Sequence, residues 1–203
     1  MPYRRTPAIQ ARLDAQRAAL VGAASDLLAE SGYAGCTVAA VAHRAGVAAG
    51  TVYNHFPTKA DLVAEVFRRI VTHEVDVVRT AAASGTAAER TTAVIETFAG
   101  RALKTPRRAY ALLAEPIDPA LDELRLEFRR AFRDVIADAI RDGVASGELP
   151  AQHAPVVAAA LVGAIGEALV GPLAAGTDDP ETVPTLIDFV HRALGRTLSD
   201  AHA

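Results

Sequence analysis

The stretch Thr37–Lys59 constrains the fold of this chain most, because it holds two short helical patterns separated by one glycine. In the first pattern, apolar residues recur at the i, i+3, i+4 spacing of one buried helical face: Val38, Val41 and Ala42. Thr37 stands directly before them, and its hydroxyl can accept a hydrogen bond from a backbone N–H at a helix start. We therefore predict a short helix that begins after Thr37.

A turn and a second helix follow. Gly46 lies where a chain leaving a helix needs a positive φ, which glycine adopts without strain. The pattern over residues 49–56 predicts a second helix that turns Val52 and Phe56 inward. This arrangement is typical of a helix-turn-helix, whose second helix enters the major groove of DNA. Such hairpins also occur as purely structural units, so the spacing alone leaves both interpretations open.

The outward face of the second helix favours DNA binding. It carries no carboxylate, and its residues are Gly50, Thr51, Tyr53, Asn54 and His55. Hydroxyl, phenol, amide and imidazole groups suit phosphate oxygens and base edges, and the lack of acid removes repulsion from a polyanion. We therefore expect this face to contact DNA.

The run from Ala45 to Leu62, AGVAAGTVYNHFPTKADL, resembles the signature of the tetracycline-repressor (TetR) family of transcriptional regulators. The resemblance covers roughly residues 20–67, and beyond them only the length and the helical texture are similar. It implies that one set of residues contacts the phosphate backbone: Thr37, Thr51, Tyr53, His55 and Lys59. It implies that a second set faces the bases: Ala49, Gly50 and Asn54. Arg44 completes the predicted DNA-binding set.

One residue departs from the family pattern. Ala48 stands where the family often has serine, at the cap of the recognition helix. Loss of that cap costs about 1 kcal/mol of helix stability. Because Ala48, Ala49 and Gly50 are all small, we expect other side chains and the shape of the DNA to supply more of the sequence readout.

Composition and charge bound the setting in which the chain acts. It has 203 residues, 51% of them hydrophobic, and a single cysteine, Cys36, which excludes an internal disulfide and fits a reducing cytoplasm. The start of the chain lacks the apolar core of a signal peptide, and Arg4 and Arg5 form either a DNA-binding arm or a solvated tail.

Residues 1–59 hold six basic and three acidic residues, whereas the remainder holds 15 basic and 21 acidic ones. A basic head on an acidic body orients the molecule toward a polyanion.

Helical periodicity continues through the rest of the chain. Counting the long helix before the helix-turn-helix, we predict further helices over residues 11–31, 59–83, 86–103, 106–113, 120–145, 154–176 and 180–198. Thr58 and Asp61 form a capping pair for the helix that joins head to body. On the helix over 120–145 we expect the arginines to form a solvated charged face: Arg125, Arg129, Arg130, Arg133 and Arg141.

The segment Ala154–Gly176 is the most apolar of the chain. Its length matches a membrane span, but Glu167, Pro172 and the many alanines and glycines argue against one. A helix that is apolar nearly all round must be buried on both sides. We therefore predict that the last two long helices pair with those of a second copy as a four-helix dimer interface, which the family resemblance also implies.

The helical body has the composition of a ligand cavity. Its predicted lining is mostly apolar: Phe67, Ile70, Val71, Phe98, Leu113, Phe128 and Phe132. Three polar residues can orient a ligand there: Arg101, Tyr110 and Glu115. An apolar stripe at helical spacing is also what a plain core requires. The family resemblance implies an effector site in this region without saying what binds.

No pattern points to catalysis, a metal site or a cofactor, since the six histidines are scattered without ligand spacing. We predict an all-α, cytoplasmic, homodimeric regulator with a DNA-binding domain over residues 1–58 and an effector-binding and dimerisation domain over 59–203. We expect a repressor released from a palindromic operator by a small apolar effector. The alternative is a ligand-binding or scaffolding protein whose helix-turn-helix is only structural. A helical enzyme ranks last.

Overall fold

The computed structural model describes residues 6–116, 118–177 and 179–195. Within them the chain is helical and contains no strand, as the sequence predicts. The helices are α1 Pro7–Gly35, α2 Val38–Arg44, α3 Ala49–His55, α4 Lys59–Ala81, α5 Ala87–Lys104, α6 Pro106–Leu113, α7 Asp122–Ser146, α8 Ala154–Ala175 and α9 Thr182–Ala193. A single 3-10 turn, Pro119–Leu121, leads into α7.

The first helix is longer than predicted at both ends. It begins at Pro7 because the Thr6 hydroxyl accepts from the Ile9 backbone N–H and proline fits the first helical position. Gly32, the predicted stop, does break the helix with φ 66°. The chain then makes one more turn, to Gly35, before α2 begins.

The helix-turn-helix forms as predicted. The Thr37 Oγ1 accepts from the backbone N–H of Ala40 at 3.1 Å and caps α2. Gly46 adopts φ 66° in the turn. Both Val52 and Phe56 are buried in the hydrophobic core beneath the helix-turn-helix, which is called the head core below. The helix α3 ends at His55, one residue earlier than predicted, and Phe56 is its C-cap.

The helix α4 serves two cores in succession. Thr58 and Asp61 form the predicted capping box at its start. Its first half contributes Leu62, Val63, Val66 and Phe67 to the core beneath the helix-turn-helix. The same core includes Ala111 of α6, Leu121 of the 3-10 turn and Leu124 of α7. The predicted division at residues 58 and 59 therefore lies within a shared core, and it stays a prediction.

The second core fills the body. It is formed by the far half of α4 together with α5, the inner faces of α6 and α7, and one stripe on each of α8 and α9. In α8 that stripe repeats at helical spacing: Ala154, Ala158, Leu161, Ile165, Leu169 and Leu173. The end of α9 falls short of the predicted residue 198, and residues 196–198 lie outside the described part of the chain.

The opposite face of α8 is apolar and uncovered. By length and composition alone this helix of 22 residues, with mean hydropathy 2.0, is able to cross a membrane, and 28% of its most apolar window is buried. The uncovered face consists of small and apolar side chains, among them Ala159, Ala160 and Val156, the last 63% exposed. Phe189 on α9 is 42% exposed.

One arginine departs from the predicted solvated face of α7. Arg125 is half-buried and donates to the backbone carbonyls of Leu112 at 3.0 Å, Ala111 at 2.8 Å and Glu115 at 2.5 Å. The prediction was wrong here because an arginine side chain is long enough to reach the open carbonyls at the end of a neighbouring helix. Arg130, Arg133 and Arg141 of the same helix are partly or fully exposed, as predicted.

Candidate nucleic-acid interface and ligand cavity

The outward face of α3 is open to solvent. Tyr53 is 53% exposed, Asn54 and Gly50 are exposed, and Thr51 is partly so. No atom lies within 4 Å of the position that a Cβ on Gly50 would occupy. The face therefore presents a phenol, an amide and a hydroxyl beside bare backbone, and no other described part of the chain covers it at Gly50.

The start of α3 is uncapped. Ala48 has the extended backbone of an N-cap, φ −72° and ψ 149°, but its methyl group makes no cap hydrogen bond. The Thr51 N–H donates to the Ala48 carbonyl at 2.9 Å, and the N–H groups of Ala49 and Gly50, before it, are open to another acceptor. Phosphate oxygens are such acceptors, because the N-terminus of a helix favours negative charge.

Two of the predicted phosphate contacts are held by internal hydrogen bonds. His55 Nε2 lies 2.9 Å from Gln16 Oε1 of α1. Lys59 Nζ donates to the carbonyl oxygen of Tyr33 at 2.6 Å and lies 3.8 Å from the centre of the Tyr33 ring. These bonds fix both side chains beside α3, and within the described residues Lys59 forms no ion pair with a carboxylate.

Arg44, in contrast, is neutralised. Its guanidinium donates to both carboxylate oxygens of Glu30 at 2.7 and 2.6 Å. Arg44 lowers the pKa of the exposed Glu30 carboxyl, chiefly through this hydrogen bond. The bidentate geometry strengthens this pair, but its exposure to solvent lets a phosphate compete with Glu30 for the arginine.

Arg17 of α1 lies against the recognition helix. Its guanidinium carbon lies 4.8 Å above the Phe56 ring, and its Nη1 donates to Glu65 Oε1 at 2.9 Å. The sequence places Arg17 on the polar side of α1 but gives no sign of this contact, since Glu65 is far along the chain. Arg4 and Arg5, the predicted arm, lie outside the described residues.

The body contains a cavity of about 240 Å³ between α4, α5, α6, α7 and α8. Six predicted ligand-site residues line it: Val71, Phe98, Arg101, Leu113, Phe128 and Phe132. The Phe98 and Phe132 rings meet at 4.8 Å between centroids, in a tilted arrangement. The cavity is therefore aromatic on the α5 and α7 sides.

Four predicted ligand-site residues are not part of this lining. Phe67 is fully buried in the head core and Ile70 packs against that core, because the apolar stripe of α4 passes from one core to the other. Tyr110 packs on the body core. Glu115 turns toward α1, where its Oε2 accepts from the Tyr33 backbone N–H at 2.8 Å.

Sequence reasoning missed most of the charged lining. Glu74, Arg108, Arg125, Arg129 and Glu167 all border the cavity. The Arg101 guanidinium holds the Glu74 carboxylate at 2.6 and 2.9 Å. Burial raises the pKa of Glu74, but this hydrogen bond and the arginine charge outweigh burial and leave the pKa below its ordinary value. A sequence signal for these lining residues was available, because they are polar residues on otherwise apolar helix faces.

Residues 20–66 match the family model of bacterial regulatory proteins of the tetR family. The chain carries a tetR-family regulatory domain. The match spans the second half of α1, the helix-turn-helix and the first third of α4, which supply most of the head core, while Phe67, Ala111, Leu121 and Leu124 complete that core from outside the match. Comparison with curated proteins gives no match.

Solved structures of tetR-type regulators share the whole fold. A TetR transcription regulator from Haloarcula marismortui has TM-score 0.77 at 20% identity, over 90% of this chain and 97% of that one. The regulator FadR from Bacillus subtilis, in complex with stearoyl-CoA, has TM-score 0.75 at 20% identity, over 87% and 97%. RolR in complex with resorcinol has TM-score 0.70 at 17% identity, over 95% and 93%. At these identities the likeness establishes the fold.

The tetR-family head and the body differ in what their side chains can bind. The head presents hydrogen-bonding groups and a free helix N-terminus on an outer surface, which suits a polyanion. The body presents a recessed apolar space with charged groups on its wall, which suits a small molecule. Within the described residues, no group of three or more His, Cys, Asp or Glu side chains is placed to hold a metal ion.

Proposed function

We propose that this transcriptional regulator of the tetR family is a homodimeric repressor that a small effector releases from a palindromic operator. The observation that carries the proposal is the open face of α3, which is free of carboxylates, within the matched tetR-family domain. A repressor of this kind acts in the cytoplasm, where its operator is.

In the proposed complex α3 enters the major groove. Tyr53, Thr51 and His55 bind phosphates together with the Thr37 end of α2, while Asn54 and the backbone at Ala49 and Gly50 face the bases. The exposure of Tyr53 and Asn54 supports this assignment. Lys59 and Arg44 contribute charge at the edges, Arg44 by exchanging Glu30 for a phosphate. Two heads on one dimer then read two half-sites about one helical turn apart.

The dimer is formed through α8 and α9. An uncovered apolar helix face is costly in water, and a second copy of the same face covers it under two-fold symmetry. Small residues such as Ala160 allow the two α8 helices to approach closely. Glu167 and Pro172 within α8 favour a protein contact over a bilayer, because a charged side chain in a bilayer is expensive.

The effector occupies the body cavity. The aromatic wall at Phe98, Phe128 and Phe132 supports a mostly apolar ligand. The two related structures with ligands, FadR with stearoyl-CoA and RolR with resorcinol, support ligand binding by this fold. Val71 and Glu74 of α4 line the cavity, and the same helix begins at Lys59 beside α3.

A chain of direct contacts also links the cavity to the head. Arg125 lines the cavity and holds the Glu115 carbonyl. The Glu115 carboxylate in turn holds the Tyr33 N–H, and the Tyr33 carbonyl holds Lys59. An effector that moves Arg125 thereby shifts the end of α1 and the start of α4. A change in the distance between the two heads then prevents both from fitting the operator.

The direct test is capture of genomic DNA fragments by the purified protein, compared with its Tyr53→Ala variant. We expect the wild type to retain one palindromic site, with affinity that falls steeply as salt rises. The variant should lose that site because an exposed phenol is removed from the interface. Leu126→Ala is the matched control, since Leu126 is also exposed, at 48%, but lies on α7. Weak binding that Tyr53→Ala leaves unchanged would favour the alternative, a ligand-binding protein with a structural helix-turn-helix.

A further inference from the structure

The charges around the body cavity define the chemical class of the effector, an inference that rests on the proposed function because it concerns the same site. Helix α7 contributes both Arg125 and Arg129 to the lining. Residues four apart lie on the same helical face, and like charges at that spacing repel. In a cavity that is only a packing defect of the core, this pair would contribute repulsion and no stability.

The hydrogen bonds of Arg125 go to backbone carbonyls, and its one ion-pair partner among the described residues, Asp122, is exposed. Its Nε and Nη2 donate to backbone carbonyls, and its nearest acid, Asp122, lies 3.6 Å from Nη1 and is 64% exposed. Burial lowers the pKa of Arg125, Asp122 opposes this, and the like charge of Arg129 lowers the pKa further. The pair therefore creates a positive potential, which Asp122 and, less strongly, Glu115 offset only in part.

The other charged groups of the lining do not cancel that potential. Glu74 is held by Arg101, and among the described residues Arg108 donates to the Thr105 hydroxyl at 3.3 Å and to no carboxylate. Glu167 of α8, which is exposed, is the remaining carboxylate of the described lining. Arg129 forms no ion pair within the described part of the chain. The lining thus has more positive than negative charge, beside an apolar wall.

We propose that the effector is an amphiphile with one anionic group, a carboxylate or a phosphate, which Arg129 binds at the mouth of the cavity beside Arg125. Arg129 is exposed and Arg125 is half-buried, so the anionic group sits at the solvent side of the pair. The apolar part packs inward against Phe98 and Phe132. Binding relieves the repulsion between the two arginines and adds charge-assisted hydrogen bonds.

The test measures binding of four amphiphiles with the same alkyl chain to the full-length protein by calorimetry: decanoate, decyl phosphate, decanol and decyltrimethylammonium. We expect decanoate or decyl phosphate to bind about tenfold or more tightly than decanol, and the cation to bind most weakly. Whichever anion binds more tightly identifies the headgroup. The Arg129→Gln variant should lose the preference for an anion. Arg130→Gln, next along α7 and exposed outside the cavity lining, should keep it.

Thermal unfolding of both variants shows whether they fold alike. The comparison of the four ligands on the wild type tests the anion preference without either variant. Equal or tighter binding of decanol by the wild type would overturn the inference while leaving an effector-responsive regulator intact. Binding of none of the four would overturn it as well. Operator binding is measured separately, so a protein that prefers the anion but binds no DNA would refute the proposed function and leave the ligand class standing.

Discussion

Ala48 stands at a position that affects both the stability of α3 and the N–H groups that α3 offers to a DNA phosphate in the proposed complex. Its backbone is that of an N-cap, yet its side chain offers no acceptor to the first N–H groups of α3. A serine there would supply one, which is worth about 0.5–2 kcal/mol in comparable helices. The same serine would compete with a phosphate for those N–H groups. Stability and DNA affinity are therefore coupled at this position.

We predict that Ala48→Ser raises the free energy of unfolding by about 1 kcal/mol. Urea denaturation followed by circular dichroism measures it. Ala49→Ser is the control, because Ala49 is the first residue of α3 and not its N-cap, so a serine there lacks the capping geometry of residue 48. An equal change in both variants would mean that the cap geometry is not the cause.

Residues whose partners are near in sequence were predictable, and residues with distant partners were not. Thr37, Gly46 and Val52 follow from helix capping, turn geometry and periodicity within a few positions, and the structure confirms each. Lys59 and Arg125 bond to backbone oxygens on other helices. No spacing rule reveals such an acceptor, because it arises only when the helices pack.

At the scale of elements, the helix α6 is held between the cavity and the head. Arg125 binds the carbonyls at its C-terminal end, Glu115 just beyond binds Tyr33, and Arg107 donates to the Glu30 carbonyl at 2.8 Å. These bonds connect α6 to α7 on one side and to α1 on the other. We therefore expect movement of α7 at the cavity to be transmitted to the end of α1.

We predict that Glu115→Ala disconnects the head from the cavity. Decanoate should change amide hydrogen exchange over residues 32–36 in the wild type, although these residues lie outside the cavity lining. The variant should bind decanoate and show no such change, because the hydrogen bond to the Tyr33 N–H is lost. Glu127→Ala, an exposed change on α7, is the control. A response that persists in Glu115→Ala would show that coupling runs through α4 alone.

The positions of the helices followed from periodicity, whereas their packing did not. The predicted bounds of α6 match the structure, since Pro106 fixes its start, and α8 differs by one residue at its end. The 3-10 turn before α7 was not predicted, since its last two residues fall within the helix predicted over 120–145. The stripe on α4 is continuous, so periodicity alone could not show that Phe67 belongs to the head and Val71 to the cavity wall.

At the scale of the whole molecule, we predict that Ala160→Glu separates a dimer into monomers. Ala160 is exposed on the uncovered face of α8, so glutamate there does not disturb the fold of one chain. In a two-fold interface it buries two like charges without partners, which is strongly unfavourable. Size-exclusion chromatography with light scattering should give twice the 21.2 kDa chain mass for the wild type and the single mass for the variant. Leu126→Glu on α7 should remain dimeric, and a monomeric wild type would refute the interface.

The core shared by head and body also restricts how such a chain can exchange parts during evolution. The helices α1 to α3 rest on Leu62, Val63 and Phe67 of α4 and on Leu121 before α7. Recombination at residue 58 would join a foreign recognition module to a surface shaped for another one, and the mismatch would leave a void or a clash. A crossover beyond Phe67 keeps more of the matched set together. We therefore expect the proposed DNA specificity to change more readily by point substitutions on the outer face of α3 than by replacement of the module.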